Sequence, residues 1–393
     1  MRIRLHGFRR LVLLPLVSLL SLLSVLVTAG CVAPGAGSPV SASVPSAASA
    51  AGSAETSASA AGNPVPARVA RPWRPGDPQL GAQVLWYAYA GETDASVRAD
   101  SLRLVNYMVG KHMNAISVTF PFVTAGPTAS RVGVSARTPS VRHLGMFLDT
   151  AAAAGLRITL RPLLDERSLL ARDPLAWRGS LAPADRAAWF RSYEGFLAPY
   201  LAVAAGHHVR TFVLGAELTS LEGDPRWRSV VAAARKSFSG DLSYDANWDD
   251  YVSRHVPVPV DHLGIDAYFS FPRLGDDASV AEIAEGWQRW LDRKSTGKLP
   301  RIVLSEVGII AEDGAYRHPA VWTGGGRLNP TVQRRWFEAA CRVARDRDMA
   351  GLYWWNLDFH ADPAVGSPAG SHTSFLGRPA EAVIASCFET WPR

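Results

Sequence analysis

The segment Thr211–Ser220, TFVLGAELTS, has the pattern of a buried strand that ends on a carboxylate. Four of its first six residues are apolar, and the run has the length of a strand covered on both faces, as strands of parallel sheets are. Glu217 then places a charge at the end of the strand. Burying a carboxylate is costly unless it is paired, neutralised or used in chemistry. The segment therefore predicts a parallel sheet with a candidate functional residue at a strand end.

Apolar runs of this kind recur along the chain, with helical patterns between most of them. Eight strands are predicted, at residues 82–89, 114–120, 156–162, 210–216, 241–247, 262–268, 301–307 and 351–357. Helices are predicted at residues 95–109, 141–154, 183–204, 226–238, 280–294, 331–347 and 380–389. The link at 248–261 is short and has only a weak helical pattern. This alternation predicts an α/β fold, a parallel sheet closed into a (β/α)8 TIM barrel.

An open, doubly wound parallel sheet is the alternative architecture. Such sheets commonly carry a glycine-rich phosphate-binding loop after the first strand. The segment that follows the first predicted strand here, WYAYAGETDAS at 86–96, contains neither GxGxxG nor a P-loop. The sequence therefore favours the closed barrel.

The N-terminus has the features of an export signal. Within residues 1–30, four arginines precede an apolar run at 11–27, and small residues follow it. Thr28–Cys31, TAGC, resembles a bacterial lipobox, in which the cysteine is lipidated after cleavage. We therefore expect a lipoprotein signal peptide, lipidation at Cys31 and a protein anchored to the membrane on the extracellular side. An ordinary signal peptide or an N-terminal membrane anchor is the alternative.

Residues 31–70 consist mostly of Ala, Ser, Gly, Pro and Val and are predicted to be a flexible linker. The remaining residues, 71–393, are predicted to form a single barrel domain, which we expect to be a monomer. The net charge of +6 falls to +2 without the four arginines of residues 1–30, which contain no acids. Because the basic excess belongs mainly to the leader, we expect no nucleic-acid partner.

Two cysteines, Cys341 and Cys387, fall on successive predicted helices near the C-terminus. In an exported protein both a disulfide and a pair of buried free thiols are compatible with this placement. The sequence has no CxxC, HExxH or clustered histidine pattern, so neither a metal site nor another cofactor is predicted.

Polar and aromatic residues gather where the predicted strands end. In a barrel of this kind the active site is built at these carboxyl ends and from the loops that follow them. The residues concerned are Arg161, Asp165, Glu166, Glu217, Asp245, Asn247, Trp248, Asp266, Tyr268, Glu306, Trp354, Trp355, Asn356 and Asp358. The sequence thus predicts a mouth rich in carboxylates and aromatic rings.

Glu217 and Glu306 stand out because their strands are otherwise apolar. At the ends of the fourth and seventh strands they would face each other across the barrel axis. Two carboxyl groups about 5 to 5.5 Å apart are what retaining glycoside hydrolysis requires, one to protonate the leaving oxygen and one to attack the anomeric carbon. The alternative is structural: each glutamate pairs with an arginine, such as Arg161, and only holds the mouth together.

Glutamates that end strands four and seven characterise the clan A glycoside hydrolases, and the chain most resembles glycoside hydrolase family 113, the β-mannanases. The similar segments run across most of residues 80–390. They are FVLGAEL at 212–218, GIDAYFSF at 264–271, LSEVGI at 304–309, GLYWWNLD at 351–358 and TSFLGRPAEAVI at 373–384. Their order and strand placement carry the resemblance, since no single motif is long.

The resemblance implies that Glu217 is the general acid/base, that Glu306 is the nucleophile and that Tyr268 donates a hydrogen bond to the nucleophile. It also implies that a tryptophan of Trp354–Trp355 lies under the sugar at the cleavage point. Further substrate-binding candidates at strand ends are Trp86, Arg161, Asn247 and Trp248. The indole rings of the two tryptophans suit the apolar face of a pyranose. Trp189, Trp287, Trp290 and Trp336 lie within helical patterns and are predicted to pack against the barrel.

Two positions depart from the related sequences. Ala216 stands where many clan A members carry asparagine and the family often carries threonine, and Leu163 replaces a histidine of a Lys-Pro-His run. These changes affect the prediction of the substrate more than the prediction of hydrolytic activity. The sequence predicts a retaining, endo-acting hydrolase of a β-linked polysaccharide or oligosaccharide, β-1,4-mannan first. The alternatives are another clan A activity such as a β-glucanase, and a surface carbohydrate-binding lipoprotein without turnover.

Overall fold

A closed barrel of eight parallel strands forms the centre of the protein. The computed structural model describes residues 65–253, 256–322 and 324–392. The barrel strands are β1 (Gln79–Leu85), β2 (Ala115–Thr124), β3 (Arg157–Leu164), β4 (Val209–Ala216), β5 (Asp241–Asn247), β6 (His262–Asp266), β7 (Val303–Val307) and β8 (Gly351–Asp358). Each strand pairs with its neighbour in sequence, and β1 pairs in parallel with both β2 and β8. The pairing of β1 with β8 closes the sheet, so the predicted (β/α)8 barrel is confirmed and the open sheet is excluded.

A helix follows each strand of the barrel. The helices are α1 (Asp94–Gly110), α2 (Val141–Ala154), α3 (Arg186–Gly206), α4 (Trp227–Arg235), α5 (Trp248–Ser253), α6 (Val280–Asp292), α7 (Pro330–Asp346) and α8 (Pro379–Glu389). Several begin where the sequence supplies a cap: the side chain of Ser279 accepts a hydrogen bond from the N–H of Glu282, and Glu282 caps Ser279 in return. The weak pattern after the fifth strand is the six-residue helix α5.

The apolar residues of the strands face outward, against the helices. On β3, Ile158 and Leu160 belong to the hydrophobic core, whereas the alternate residues Arg157 and Thr159 line a cavity. This alternation follows from the two-residue period of a strand. The cavity has a volume of about 290 Å³ and is lined by residues of all eight strands, so it lies inside the barrel. TIM barrels usually fill this space with Val, Ile and Leu, whereas here polar residues such as Gln83, Ser117 and Thr159 are among those that line it.

The inner cavity lies at the amino-terminal half of the barrel. Its lining residues include several at the beginnings of strands, such as Gln79, Asp241 and His262. Asp245 and Ser305 separate it from the opposite, carboxyl-terminal mouth, to which the sequence assigned the candidate site. This inner cavity is therefore distinct from the mouth that holds Glu217 and Glu306.

The folded part begins earlier than the predicted linker boundary at residue 70. The N–H of Ala67 donates to the side chain of Asn106, and Val69 is buried and donates its N–H to the carbonyl of Ala154. These backbone contacts fix the chain against α1 and α2. The predicted signal peptide of residues 1–30, the predicted lipidation site Cys31 and the predicted linker as far as residue 64 lie outside the described residues.

Cys341 on α7 and Cys387 on α8 form a disulfide with a Cα–Cα distance of 6.2 Å. Of the two possibilities left open by the sequence, the structure therefore has the disulfide. Over the part of the chain that the structure describes, no helix has the length and apolar character needed to cross a membrane.

Candidate active site

Glu217 and Glu306 both lie at the carboxyl-terminal face of the barrel. Glu217 directly follows β4, and Glu306 belongs to β7. Their side chains are only 12% and 4% exposed. Burial raises the pKa of Glu217, and the negative charge of Glu306 adds to that increase, so the two carboxyl groups share one site.

Glu306 is held by a tyrosine and an arginine. The hydroxyl of Tyr268 donates a hydrogen bond of 2.5 Å to Oε2 of Glu306. The guanidinium of Arg161 lies 2.7 Å from Oε1 of the same carboxylate. Burial, together with the charge of Glu306, raises the pKa of Tyr268 well above its usual value, so this hydroxyl keeps its proton and acts as a donor. Both oxygens of Glu306 thus meet a positive charge or a donor.

Arg161 was predicted to bind substrate, and the structure corrects this. Its side chain is completely buried and contacts three carboxyl groups: Asp245 at 2.7 Å, Asp266 at 2.8 Å and Glu306 at 2.7 Å. A side chain without exposed surface cannot touch a ligand in the mouth. Because Arg161 lies on β3 while its partners lie on β5, β6 and β7, it joins four strands beneath the site. Arg161 therefore positions Glu306 from below.

Asp245 and Asp266 are the inner partners of this arginine. Burial raises the pKa of both carboxyl groups, and that of Asp266 lies well above its usual value because the charge of Glu306 adds to the effect. The hydroxyl of Ser305 donates to Asp266 at 2.8 Å. These carboxyl groups are arranged around a guanidinium. Within the described ranges, no group of three or more His, Cys, Asp or Glu side chains could hold a metal ion.

Glu217 sits in a strained backbone conformation. Its φ angle of 53° lies in the left-handed region, which non-glycine residues seldom occupy. The N–H of Glu217 donates to the carbonyl of Asp245 at 2.8 Å, which fixes this turn at the end of β4. Burial raises the pKa of Glu217 to about 7. The carboxyl group is therefore one that holds a proton near neutral pH.

Arg178 contacts Glu217 and was missed by sequence reasoning. It lies in the long connection between β3 and α3, and its Nη1 donates to Oε2 of Glu217 at 3.0 Å. Its Nε lies 3.2 Å from Glu166, one of the strand-end carboxylates. Arg178 acts to lower the pKa of Glu217, yet burial outweighs it. A loop arginine has no periodic signal in sequence, so nothing in the pattern pointed to this residue.

Two of the predicted substrate-binding tryptophans are part of the core. Trp86 has no exposed surface, stacks on Phe359 at a centroid distance of 3.8 Å and donates its Nε1–H to Glu92. Trp354 is also fully buried and stacks on Phe337 of α7 at 4.3 Å. Neither ring can contact a sugar, so these two predictions are wrong.

The other aromatic candidates keep some exposed surface. Trp355 is half-buried, and its ring lies 5.8 Å from the guanidinium of Arg161, directly over the group that holds Glu306. Trp248 is half-buried as well, but its ring makes an edge contact with Trp290 of α6 at 4.7 Å, which places it in the packing between strand end and helix. Asn247 is half-buried at the end of β5. Of these residues, Trp355 is the one that the structure places beside Arg161, the partner of Glu306.

A second aromatic residue at the mouth, Trp322, was not singled out by the sequence. It lies in the connection between β7 and α7, and its ring meets that of Tyr268 edge-on at a centroid distance of 5.6 Å. Trp322 is half-buried. Like Arg178, Trp322 lies in a loop, where the sequence has no periodic pattern that would have pointed to it.

Comparisons with known proteins agree with this geometry. A family model described as Glycoside Hydrolase Family 113 matches residues 85–372. Among solved structures, one described as a GH113 β-1,4-mannanase is 18% identical with a TM-score of 0.65, over 80% of this chain and 99% of that one. The GH113 β-mannanase AaManA from Alicyclobacillus acidocaldarius is 21% identical with a TM-score of 0.62, over 80% and 98%. A search of curated proteins found no match.

At these sequence identities the solved structures establish only that the barrel fold is shared. The match to the family model also establishes the family. This match starts at the last residue of β1 and ends beyond β8, and so includes both glutamates and the groups that hold them. The chain therefore belongs to glycoside hydrolase family 113 and is a glycoside hydrolase.

Proposed function

We propose that the protein hydrolyses β-1,4-linked mannan with retention of configuration, using Glu217 as acid/base and Glu306 as nucleophile. The observation that carries this proposal is the contrast between the two carboxyl environments. Glu217 is buried with a pKa of about 7, whereas Glu306 meets the hydroxyl of Tyr268 and the charge of Arg161. One group is suited to hold a proton and the other to carry a charge.

In the first step the carboxylate of Glu306 attacks the anomeric carbon while Glu217 gives its proton to the glycosidic oxygen, so the bond to the leaving sugar breaks. The glycosyl–Glu306 ester that forms carries no negative charge. Because that charge had helped to raise the pKa of Glu217, its loss lowers this pKa. Glu217 is then the base that accepts a proton from water as the water attacks the ester. The coupling between the two groups thus supports the change of role.

Mannan is the first substrate proposed because one of the solved structures reported above is described as a β-1,4-mannanase and the other as a β-mannanase. Trp355 supports a pyranose ring near Glu306, since it is half-exposed above Arg161. Ala216 provides no side-chain hydrogen bond to a sugar hydroxyl, and Leu163 provides none either. A panel of mannan, glucomannan, cellulose, β-1,3-glucan and xylan separates mannanase from β-glucanase activity by the products released.

We also propose that the enzyme works outside the cytoplasm, tethered to the membrane by lipid on Cys31. The leader of residues 1–30 and the lipobox-like Thr28–Cys31 support this placement. The disulfide between Cys341 and Cys387 is consistent with it, because disulfides persist in oxidising compartments. Labelling with radioactive palmitate, compared between wild type and Cys31→Ala, tests the anchor; equal labelling of both would contradict it.

The two catalytic roles are tested separately. Glu306→Gln keeps the shape of the side chain and should lower kcat by at least about 1000-fold. Glu217→Ala should lose polysaccharide cleavage, and azide should restore cleavage of an activated aryl β-mannoside as a β-mannosyl azide. Glu338→Gln is the matched control, because Glu338 forms a partly exposed ion pair with Arg334 on α7.

Wild-type activity in Glu306→Gln on the best substrate of the panel would exclude the proposed mechanism. Retention is checked independently by proton NMR during the first minutes of hydrolysis. A β-anomer should appear first and then mutarotate, whereas an α-anomer formed first means inversion. Binding of mannohexaose without any release of reducing ends would instead indicate a carbohydrate-binding protein.

A further inference from the structure

Trp322 reaches the nucleophile's surroundings from a loop outside the barrel. Its ring contacts Tyr268 edge-on at 5.6 Å, and Tyr268 donates the hydrogen bond to Glu306. The ring also lies against Gly308, the second residue after Glu306: a Cβ added there would be 2.6 Å from the Trp322 ring and 2.9 Å from the carbonyl oxygen of Trp355. Only a glycine leaves room for this contact. Trp322 and Trp355 therefore flank the end of β7 together.

The loop that carries Trp322 is bound to a buried carboxylate. Glu312 is 5% exposed, and its Oε1 and Oε2 accept hydrogen bonds from the N–H groups of Gly325 at 3.2 Å and Gly326 at 2.9 Å. Nδ1 of His372, from the connection between β8 and α8, lies 2.5 Å from Oε1. Glu312 thus joins the loops that follow two neighbouring strands.

Burial acts to raise the pKa of Glu312, but the hydrogen bonds from His372, Gly326 and Gly325 outweigh it and hold that pKa below its usual value. The contact therefore involves a charged carboxylate, which makes each of these hydrogen bonds stronger than a neutral one.

The three consecutive glycines at 324–326 suit this arrangement. A Cβ on Gly324 would lie 2.3 Å from Oε1 of Glu312, and one on Gly326 would lie 2.6 Å from Oε2. Both positions are thus closed to any side chain while the carboxylate is in place. The close approach of the backbone to Glu312 accounts for the glycines at 324 and 326.

We propose that Glu312 is a positioning residue that holds Trp322 at the mouth, and that Trp322 is a specificity-determining residue forming an apolar wall for the sugar ring beside Glu306. The apolar CH face of a pyranose packs well on an indole, and Trp322 keeps part of its surface exposed. The inference rests on the proposed function, since the wall acts on a sugar held for cleavage at Glu306. Glu312 itself takes no part in bond breaking.

The test compares Trp322→Ala, Glu312→Gln and the double variant on mannohexaose. Trp322→Ala should raise KM by about tenfold and change kcat little, because a binding surface is lost while the catalytic pair remains. Trp322→Phe should recover most of the KM. Glu312→Gln should raise KM in the same direction, since its amide NH2 meets a backbone N–H donor in place of an acceptor. The double variant should be no worse than Trp322→Ala, because both changes act through one ring.

Glu338→Gln serves again as the control for a lost glutamate charge and should leave KM unchanged. A KM of Trp322→Ala within twofold of the wild-type KM would contradict the proposal that Trp322 forms an apolar wall for the sugar ring. Fully additive effects of Glu312→Gln and Trp322→Ala overturn the positioning role.

A readout that needs no activity separates this inference from the proposed function. If wild type cleaves no mannan, the proposed function fails, and the coupling is then measured by denaturant unfolding of the same variants. Glu312→Gln should lower the unfolding midpoint clearly in the wild-type background and less in the Trp322→Ala background. An equal decrease in both backgrounds overturns the coupling between Glu312 and Trp322.

Discussion

At the scale of single residues, Glu217 and Glu306 are the same kind of side chain in two different surroundings. Glu217 is buried and its single arginine partner does not offset burial, so its pKa rises to about 7. Glu306 meets Tyr268 and Arg161, and Arg161 in turn is surrounded by two further carboxyl groups. The sequence identified the pair from strand position. Tyr268 and Arg161 were also among the candidates, but Arg178 was not, since this loop residue meets Glu217 only in the folded barrel.

The pKa of Glu217 leads to a prediction about pH. As the proposed proton donor, Glu217 must be protonated, so kcat/KM should fall as the pH rises through about 7. The decrease should follow one apparent pKa near that value on polysaccharide. In Glu217→Ala, assayed with an activated aryl glycoside that needs no proton donor, this alkaline decrease should disappear. A decrease that persists unchanged in the variant would assign the titration to another group.

At the scale of elements, the sequence predicted all eight strands because each is an apolar run whose alternate residues pack on helices. It could not predict the orientation of adjacent tryptophans on β8. A strand turns successive side chains to opposite faces, so one of Trp354 and Trp355 must face the helices and the other the lumen. Without the strand register, the sequence was equally consistent with either tryptophan facing the helices. Loops carry no period at all, which is why Arg178 and Trp322 were missed.

The two tryptophans of β8 offer a matched pair of substitutions. Trp354→Ala should lower the free energy of unfolding by about 3–5 kcal/mol, the usual cost of emptying a large core position, with KM close to wild type. Trp355→Ala should lower kcat/KM by about tenfold or more and cost less stability, since its ring is half-exposed. Denaturant unfolding and steady-state kinetics on both variants check this. A large kinetic defect in Trp354→Ala alone would contradict the assignment.

At the scale of the whole molecule, the barrel is closed by hydrogen bonds between β1 and β8, and its last two helices are joined covalently. The disulfide spans 46 residues from Cys341 to Cys387 and encloses β8 within that loop. The sequence left this pairing open, because spacing alone does not bring two helices together. The N-terminal docking of Val69 was missed for a similar reason: it depends on a tertiary contact with Ala154.

The disulfide should contribute to stability by restricting the unfolded chain. Replacing both cysteines with alanine should lower the free energy of unfolding by about 2–4 kcal/mol, measured in urea. Reductant should destabilise wild type by a similar amount and leave the double variant unchanged, which makes the variant its own control. Two free thiols titrated in unreduced, denatured wild type would show that the pair does not form.

In this barrel, the side chains that stabilise the fold and the side chains that hold the charged groups of the site lie on opposite surfaces of the sheet. Most TIM barrels fill the inner surface with apolar residues as well. Hydrophobic free energy comes from the outer surface of the sheet, where Ile158, Leu160 and their counterparts meet the helices. The inner surface carries charged and polar groups, among them Arg157 at the lower end and Arg161 beneath Glu306. Substitutions inside the cylinder can thus alter the electrostatics around Glu217 and Glu306 while the hydrophobic layer that maintains the fold stays intact.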